Sequence, residues 1–310
     1  MVAMQNFTLK QLRYVEAAGR LGSIARAAAE MSISQSSIAA AIEVLETGLG
    51  FNLFIRTPSK GIRPTPQGVQ SLALIRRFLQ QARNFQTEIQ SVAGTARGTI
   101  RIACYATAAP SFLPIILRSV TERFPELSIT VLEGSLKMIV DFVNEGEADL
   151  AFTYDHFRDA KHRFYPLFSA PPYAIVPSDD SIASAGRTTL AELSEKPLVM
   201  LDLPGARDYF ADMFQKAGYN PVVVHSTRSS EILRALVAGG FGVSLLNIRP
   251  LDYREAESGY RIVPISDNVQ AAPFGIAIND TAGIPGMIMA FIDNCLELRE
   301  KGAFSHLVVE

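Results

Sequence analysis

The sequence predicts a multidomain α/β chain: a small helical head with a β-hairpin, one long helix, and a two-lobed body of strands and helices. Three observations carry that expectation. Residues 8–47 repeat their apolar side chains at helical spacing and are followed by a short cationic segment bounded by prolines. Residues 66–92 hold an apolar stripe with no breaker beyond Gly68. From residue 99 onward, β-rich runs alternate with amphipathic helical stretches.

At 310 residues the chain is too long for one core, and at 48% hydrophobic and 19% charged it has the make-up of an ordinary globular protein. Wholesale disorder is excluded. No stretch approaches the roughly 18 uncharged apolar residues of a membrane span, and Met1 to Lys10 lacks a signal peptide's apolar run, so a cytoplasmic location without membrane partners is expected. The net charge of −2 conceals an asymmetry: residues 1–93 carry +5 and residues 94–310 carry −7. A basic head on an acidic body points to a polyanionic partner for the head alone.

In the head, Leu9, Leu12, Val15 and Ala18 share one helical face, and Gly22 ends that helix. Ser23 is suited to cap a second helix, Ile24 to Met31, whose alanines permit close crossing. After the turn Ser32-Ile33, Ser34 caps a third helix over 35–47, with Ile38, Ile42 and Leu45 buried. Gln35, Ser36, Ala39, Ala40 and Glu43 are left facing outward. A short helix, a tight turn and a second helix with an exposed N-terminal face form the helix-turn-helix that enters a major groove. Residues 53–68 place Arg56, Lys60 and Arg63 around Gly61, which reads as a wing whose cations meet phosphates.

The segments FTLKQLRYVEAA, GSIARAAAEMSISQSSI, LETGLGFNLFIR and RPTPQG, in that order, resemble the LysR-type transcriptional regulators of bacteria. The resemblance covers the whole head. It implies a winged helix-turn-helix binding double-stranded DNA through Ser34, Gln35, Ser36, Ala39, Arg56, Lys60 and Arg63. It further implies a dimerising helix and a periplasmic-binding-protein-like effector domain, with a tetramer and contact with RNA polymerase as wider expectations. One departure stands out: on the exposed face of the recognition helix, where the family carries polar or basic residues after Ser-Gln, this chain reads Ala39-Ala40-Ala41, then Glu43. Alanines can meet thymine methyls but cannot hydrogen-bond guanine, so base readout falls on Gln35 and Ser36, with DNA shape carrying more of the specificity.

Along the long helix, Phe78, Ala82, Phe85, Ile89 and Val92 recur at coiled-coil spacing, and Leu72, Ile75 and Leu79 extend the stripe backwards. At 1.5 Å per residue the helix spans roughly 40 Å, so its partner is expected to be a second copy. The expected domains are 1–65 for the head, 66–94 for the linker helix and 95–310 for the body.

In the body, TIRIAC (99–104), LSITVLE (127–133) and DLAFTY (149–154) alternate with two helices, which predicts a parallel sheet. Alternation restarts after Pro171-Pro172, giving lobe I as 98–168 plus 269–310 and lobe II as 169–268. A cleft is expected at the carboxyl ends of the strands. Helix starts there offer free N–H groups for an anion. By position, and as the resemblance implies, Thr107, Ser135, Pro204 and Thr227 are expected to hold a small carboxylate effector, with Arg207 and Arg249 pairing its charge.

Catalysis has little support: the four histidines are scattered, and no GxSxG, HExxH or GxxxxGK[ST] motif occurs. No cofactor or metal is expected. Cys104 and Cys295 are best read as buried thiols, with a sensing role for Cys104 as the alternative. Two functions remain: a ligand-responsive transcription factor, or a solute-binding or enzymatic body with an assembly module as head. The second gives Arg56, Lys60 and Arg63 no task.

Overall fold

The computed structural model describes residues 7–57, 61–92, 98–279 and 283–310. They form two compact units, Met1–Ile89 with Asn144–Glu147, and Gln90–Val143 with Ala148–Glu310.

In the first unit, helix α1 (Leu9–Leu21) starts on a capping box: Gln11 N donates to Thr8 Oγ1 at 3.2 Å, and Thr8 N to Gln11 Oε1 at 2.8 Å. It stops at Gly22, whose φ is +62°. Ser23 caps α2 (Ile24–Glu30), and Ser34 caps α3 (Gln35–Leu49) by accepting from Ser37 N at 3.2 Å. Strands β1 (Phe54–Thr57) and β2 (Gly61–Pro64) pair antiparallel as a hairpin. Glu46 ties this hairpin to α3, since its carboxylate accepts from Leu53 N and Phe54 N at 2.7 and 3.1 Å. Gly61, at φ +83°, lies so close to the turn after α1 that an added Cβ would sit 2.3 Å from the Gly22 carbonyl oxygen. Only glycine fits there. Thr65 caps the long helix α4 (Pro66–Val92), accepting from Gly68 N at 2.9 Å.

The core of this unit centres on Val15, Ala18, Ile38, Ile42 and Leu53. Three expectations are corrected here. Leu9 begins α1 but is 45% exposed, outside the buried face that Leu12, Val15 and Ala18 form. Ala41 does not join the outward face of α3, and is 2% exposed. Leu72, Ile75 and Leu79 are not an extension of an open seam but part of the first unit's own core. On α4 they face the head, whereas Leu74, Phe78, Phe85 and Ile89 stay 48–64% exposed.

The second unit starts with β3 (Gly98–Tyr105), α5 (Ala109–Arg123), β4 (Leu127–Gly134), α6 (Leu136–Asn144) and β5 (Leu150–Tyr154). Strand β6 (His162–Ala170) leads through Pro171-Pro172 into β7 (Tyr173–Pro177), followed by the short helices α7 (Ser181–Ala185) and α8 (Leu190–Ser194). Next come β8 (Leu198–Leu201), α9 (Ala206–Lys216), β9 (Val223–Thr227), α10 (Ser230–Ala238), β10 (Ser244–Leu246) and β11 (Tyr260–Pro264). The chain closes with β12 (Ala272–Asn279) and α11 (Gly286–Glu300).

One lobe is built on a five-stranded sheet ordered β4-β3-β5-β12-β6. Its β4-β3-β5 core is parallel, but β12 runs antiparallel to both β5 and β6, so the sheet is mixed rather than parallel. The other lobe also departs from a parallel sheet: β10-β7-β11 is antiparallel and β8-β9 is a parallel pair. Strands β6 and β12 lie side by side where the chain passes between lobes, with Ala170 opposite Ala272. This pairing sets the hinge side of the cleft. Arg101 and Asp149 brace the opposite strand ends: Arg101 N and guanidinium both donate to the carboxylate at 2.7 Å, so Asp149 is structural.

Candidate nucleic-acid interface and candidate ligand cleft

On the first unit, Ser34, Gln35 and Ser36 are exposed at the start of α3. The hydroxyls of Ser34 and Ser36 share a hydrogen bond of 2.8 Å, which orders that turn and leaves the Gln35 amide as the longest polar group there. Ala39 is half-buried and Ala40 exposed, so α3 presents methyl groups behind its polar N-terminus.

The hairpin register pairs Arg56 with Ile62 and Ile55 with Arg63. Directly opposed residues share a face, so the two arginines project from opposite faces of the ribbon. Both are exposed. They flank the hairpin rather than line one side, and each can reach a different phosphate run. Lys60 lies outside the described residues. Arg26, exposed on α2, is a further cation of this unit that sequence reasoning did not single out. It stood within the head's net charge, but nothing local marked it.

On the second unit, a narrow cleft, partly open to solvent, lies between the two lobes. Its floor comes from the ends of β3, β5 and β10 and its rim from α9 and the turn after β5. Rings dominate it. Tyr105 meets Tyr154 edge-on at 6.4 Å between centroids, and His156 stacks on Tyr209 at 5.8 Å while touching Phe157 at 4.3 Å. His156 and Phe157 thereby join the first lobe's turn to α9 of the second. Burial pushes the Tyr105, Tyr154 and Tyr209 hydroxyls above the ordinary phenol range, and draws His156 below the ordinary histidine range. All four rings are therefore neutral near pH 7.

The expected effector residues divide. Thr107 lines the cleft. Ser135 caps α6, accepting from Met138 N at 3.4 Å, and is not among the lining residues. Thr227 accepts from Ser229 N at 3.2 Å and closes the turn before α10. Pro204 is exposed, while its neighbours Gly205 and Ala206 face the cleft side of α9. Neither arginine reaches the lining: Arg207 pairs with Asp202 at 2.9 Å, and Arg249 lies over the Tyr253 ring at 5.1 Å. Each is held by a nearer partner. Cys104 and Cys295 are fully buried, and burial raises both thiols, so neither is a thiolate.

Sequence reasoning missed Tyr154, His156, Phe157, Tyr209 and Asn247. A signal was present in Tyr154-Asp155-His156-Phe157, an aromatic run directly after the strand DLAFTY.

Two family models match the chain. One, described as bacterial regulatory helix-turn-helix protein, lysR family, matches residues 9–69, and the LysR substrate binding domain matches residues 93–299. The chain is 28% identical over 260 residues to the HTH-type transcriptional regulator CysB of Burkholderia cenocepacia, covering 83% of each. To the HTH-type transcriptional regulator cbl of Escherichia coli it is 25% identical over 257 residues, covering 82% of this chain and 81% of that one. Among solved structures it is similar to HinK, a LysR family transcriptional regulator from Pseudomonas aeruginosa. That pair has 29% identity, a TM-score of 0.61, and coverage of 94% and 98%. A full-length OxyR variant from the same organism, 24% identical, shares the fold at a TM-score of 0.75 over 94% and 95% of the two chains.

Proposed function

Because the chain belongs to the LysR family of bacterial transcriptional regulators, we propose that it works in the cytoplasm by reading promoter DNA and changing that reading when its cleft fills. It is a regulator and not an enzyme. In this reading α3 enters a major groove with Gln35 addressing adenine, and Ala39 and Ala40 addressing thymine methyls, which favours A·T-rich half-sites. Ser34 and Ser36 fix the helix start against a phosphate. Arg56 and Arg63 bracket the backbone from the wing, and Arg26 adds a further contact.

The observation that carries the DNA assignment is the pair of exposed arginines on opposite faces of a hairpin beside an exposed polar helix start. Its test is a salt titration of DNA binding by the full chain, using its own promoter region. Each neutralised phosphate contact contributes about 0.9 to the slope of log K against log salt. Arg56→Gln with Arg63→Gln is expected to lower that slope by about 2 and weaken binding at least tenfold at low salt. An unchanged slope removes the wing from the interface.

Self-association follows from α4. Leu74, Phe78, Phe85 and Ile89 leave an apolar stripe in water, and a second copy of α4 is the partner that would cover it. A homodimer matches paired half-sites on one DNA face. A tetramer and contact with RNA polymerase are wider parts of the proposal. Phe78→Asp with Phe85→Asp is expected to shift the sedimenting species to the monomer at micromolar concentration; an unchanged mass places the association elsewhere.

For the effector, the cleft of the second unit supports a small molecule bound between lobes. A carboxylate there would find the uncapped starts of α5 and α9, the neutral hydroxyls and the Asn247 amide rather than an arginine, since Arg207 and Arg249 are held elsewhere.

A further inference from the structure

Among the described residues, the cleft lining contains no lysine, arginine, aspartate or glutamate, and its titratable groups are tyrosines and one histidine. An anion entering it would meet no cationic side chain of that lining, and only the uncapped starts of α5 and α9 would offset its lost hydration. Side-chain charge is therefore not what the ring-lined space offers, although Thr107 also borders an opening with Arg228, Arg234 and Arg254.

Its polar atoms say more. Asn247 is 9% exposed, and its amide nitrogen donates to the Ala170 carbonyl at 2.9 Å and lies 3.5 Å from the Tyr209 hydroxyl. A carbonyl only accepts, so the Ala170 contact fixes which end of the amide is which. Asn247 lines the cleft, and its Oδ1 has no donor from the described residues. Tyr154 is 7% exposed and lines the same space, and its hydroxyl makes no hydrogen bond within the described residues. Tyr105 and Tyr209 are both within electrostatic reach of that hydroxyl. Neither atom is sealed from solvent, so an acceptor and a phenol open to one cleft are the polar groups a ligand there would meet. Around them stand rings whose flat faces suit another ring.

We propose that the cleft takes an uncharged, ring-bearing small molecule that aims an N–H or O–H donor at Asn247 Oδ1 and shares a hydrogen bond with the Tyr154 hydroxyl. This rests on the reading that the cleft is the effector site, and it sets the class of effector. The acidic side chains Asp155, Asp208, Asp212 and Asp267 line a neighbouring opening, together with Lys216, and not the ring-lined space itself. A cationic ligand is thus an outcome for the test to measure.

Three probes of nearly the same shape separate the classes: benzamide, benzoate and benzylamine, titrated calorimetrically into the full chain. Benzamide is expected to bind at least tenfold more tightly than either charged probe. Tyr154→Phe, which keeps the ring and removes a hydroxyl without an internal partner, is expected to weaken benzamide about fivefold at an unchanged thermal midpoint. Asn247→Ala is expected to weaken it more, and a second titration with toluene, which has no donor, should be insensitive to both changes. Tighter binding of benzoate or benzylamine that still depends on Tyr154 and Asn247 overturns the uncharged class and leaves the cleft as the effector site. Binding indifferent to both substitutions overturns the cleft itself. No binding by benzamide overturns the class.

Discussion

Phe112→Ala is expected to destabilise the second unit by about 3–5 kcal/mol, the range for a fully buried phenylalanine cut to a methyl. Phe112 is 0% exposed on α5 and joins two ring neighbours from different strands: Phe152 of β5 at 4.8 Å and Phe274 of β12 at 5.1 Å. Phe274 in turn meets Phe168 of β6, which meets Phe304 beyond α11, at 5.3 and 5.5 Å. Removing the first ring leaves a cavity bounded by strands, and strands fixed in a hydrogen-bonded sheet cannot collapse into it. The loss should therefore lie toward the upper end of the range. Calorimetric unfolding checks it, at about 2–4 °C of midpoint per kcal/mol for a unit of this size. Phe112→Leu, which keeps most of the volume, should cost about 1 kcal/mol. A loss below about 1 kcal/mol for the alanine variant would mean that the ring cluster does not hold the lobe together.

Phe274 lies more than a hundred residues from Phe112, Phe152 and Phe168, and this distance separates what could be read in the sequence from what could not. Ser23 and Ser34 announce their helices because a cap bonds a backbone N–H only three residues away. Gly22 marks a stop for the same local reason. The parallel β4-β3-β5 core followed from alternation, but the antiparallel insertion of β12 between β5 and β6 did not, since nothing in either segment names its neighbour. Leu72, Ile75 and Leu79 carry the same spacing as the open stripe beside them, and spacing cannot say which of two faces meets the head. Arg207 was legible in principle: Asp202, five residues earlier, was the nearer partner. The cleft is the extreme case, because Tyr105, Tyr154, Tyr209 and Asn247 sit at four element ends that only the folded hinge brings together.

The largest functional effect is expected from Gly205→Val. Gly205 begins α9 at φ +88°, a region that L side chains enter at a cost of about 1–3 kcal/mol. Its missing Cβ matters as much as its backbone. A Cβ there would lie 2.6 Å from Phe157 Cε1, 2.8 Å from Phe157 Cζ and 3.3 Å from Leu136 Cδ1. Phe157 belongs to the turn after β5 in one lobe and Gly205 to the other, so the glycine is what lets the two lobes meet over the cleft. Valine must displace the Phe157 ring, and that ring touches His156, which stacks on Tyr209. The whole aromatic rim is pushed outward, and the cleft is held open. Benzamide binding is expected to fall by at least a hundredfold, while the head keeps its salt-dependent affinity for DNA. Gly205→Ala should act in the same direction but less, because one methyl group displaces only the ring edge. Phe157→Ala, combined with Gly205→Ala, tests whether the collision or the strained backbone is responsible. If the collision dominates, the double variant recovers part of the binding that Gly205→Ala loses, a coupling that two independent effects would not show. Full binding by Gly205→Val would mean that closure over Phe157 plays no part in holding the ligand.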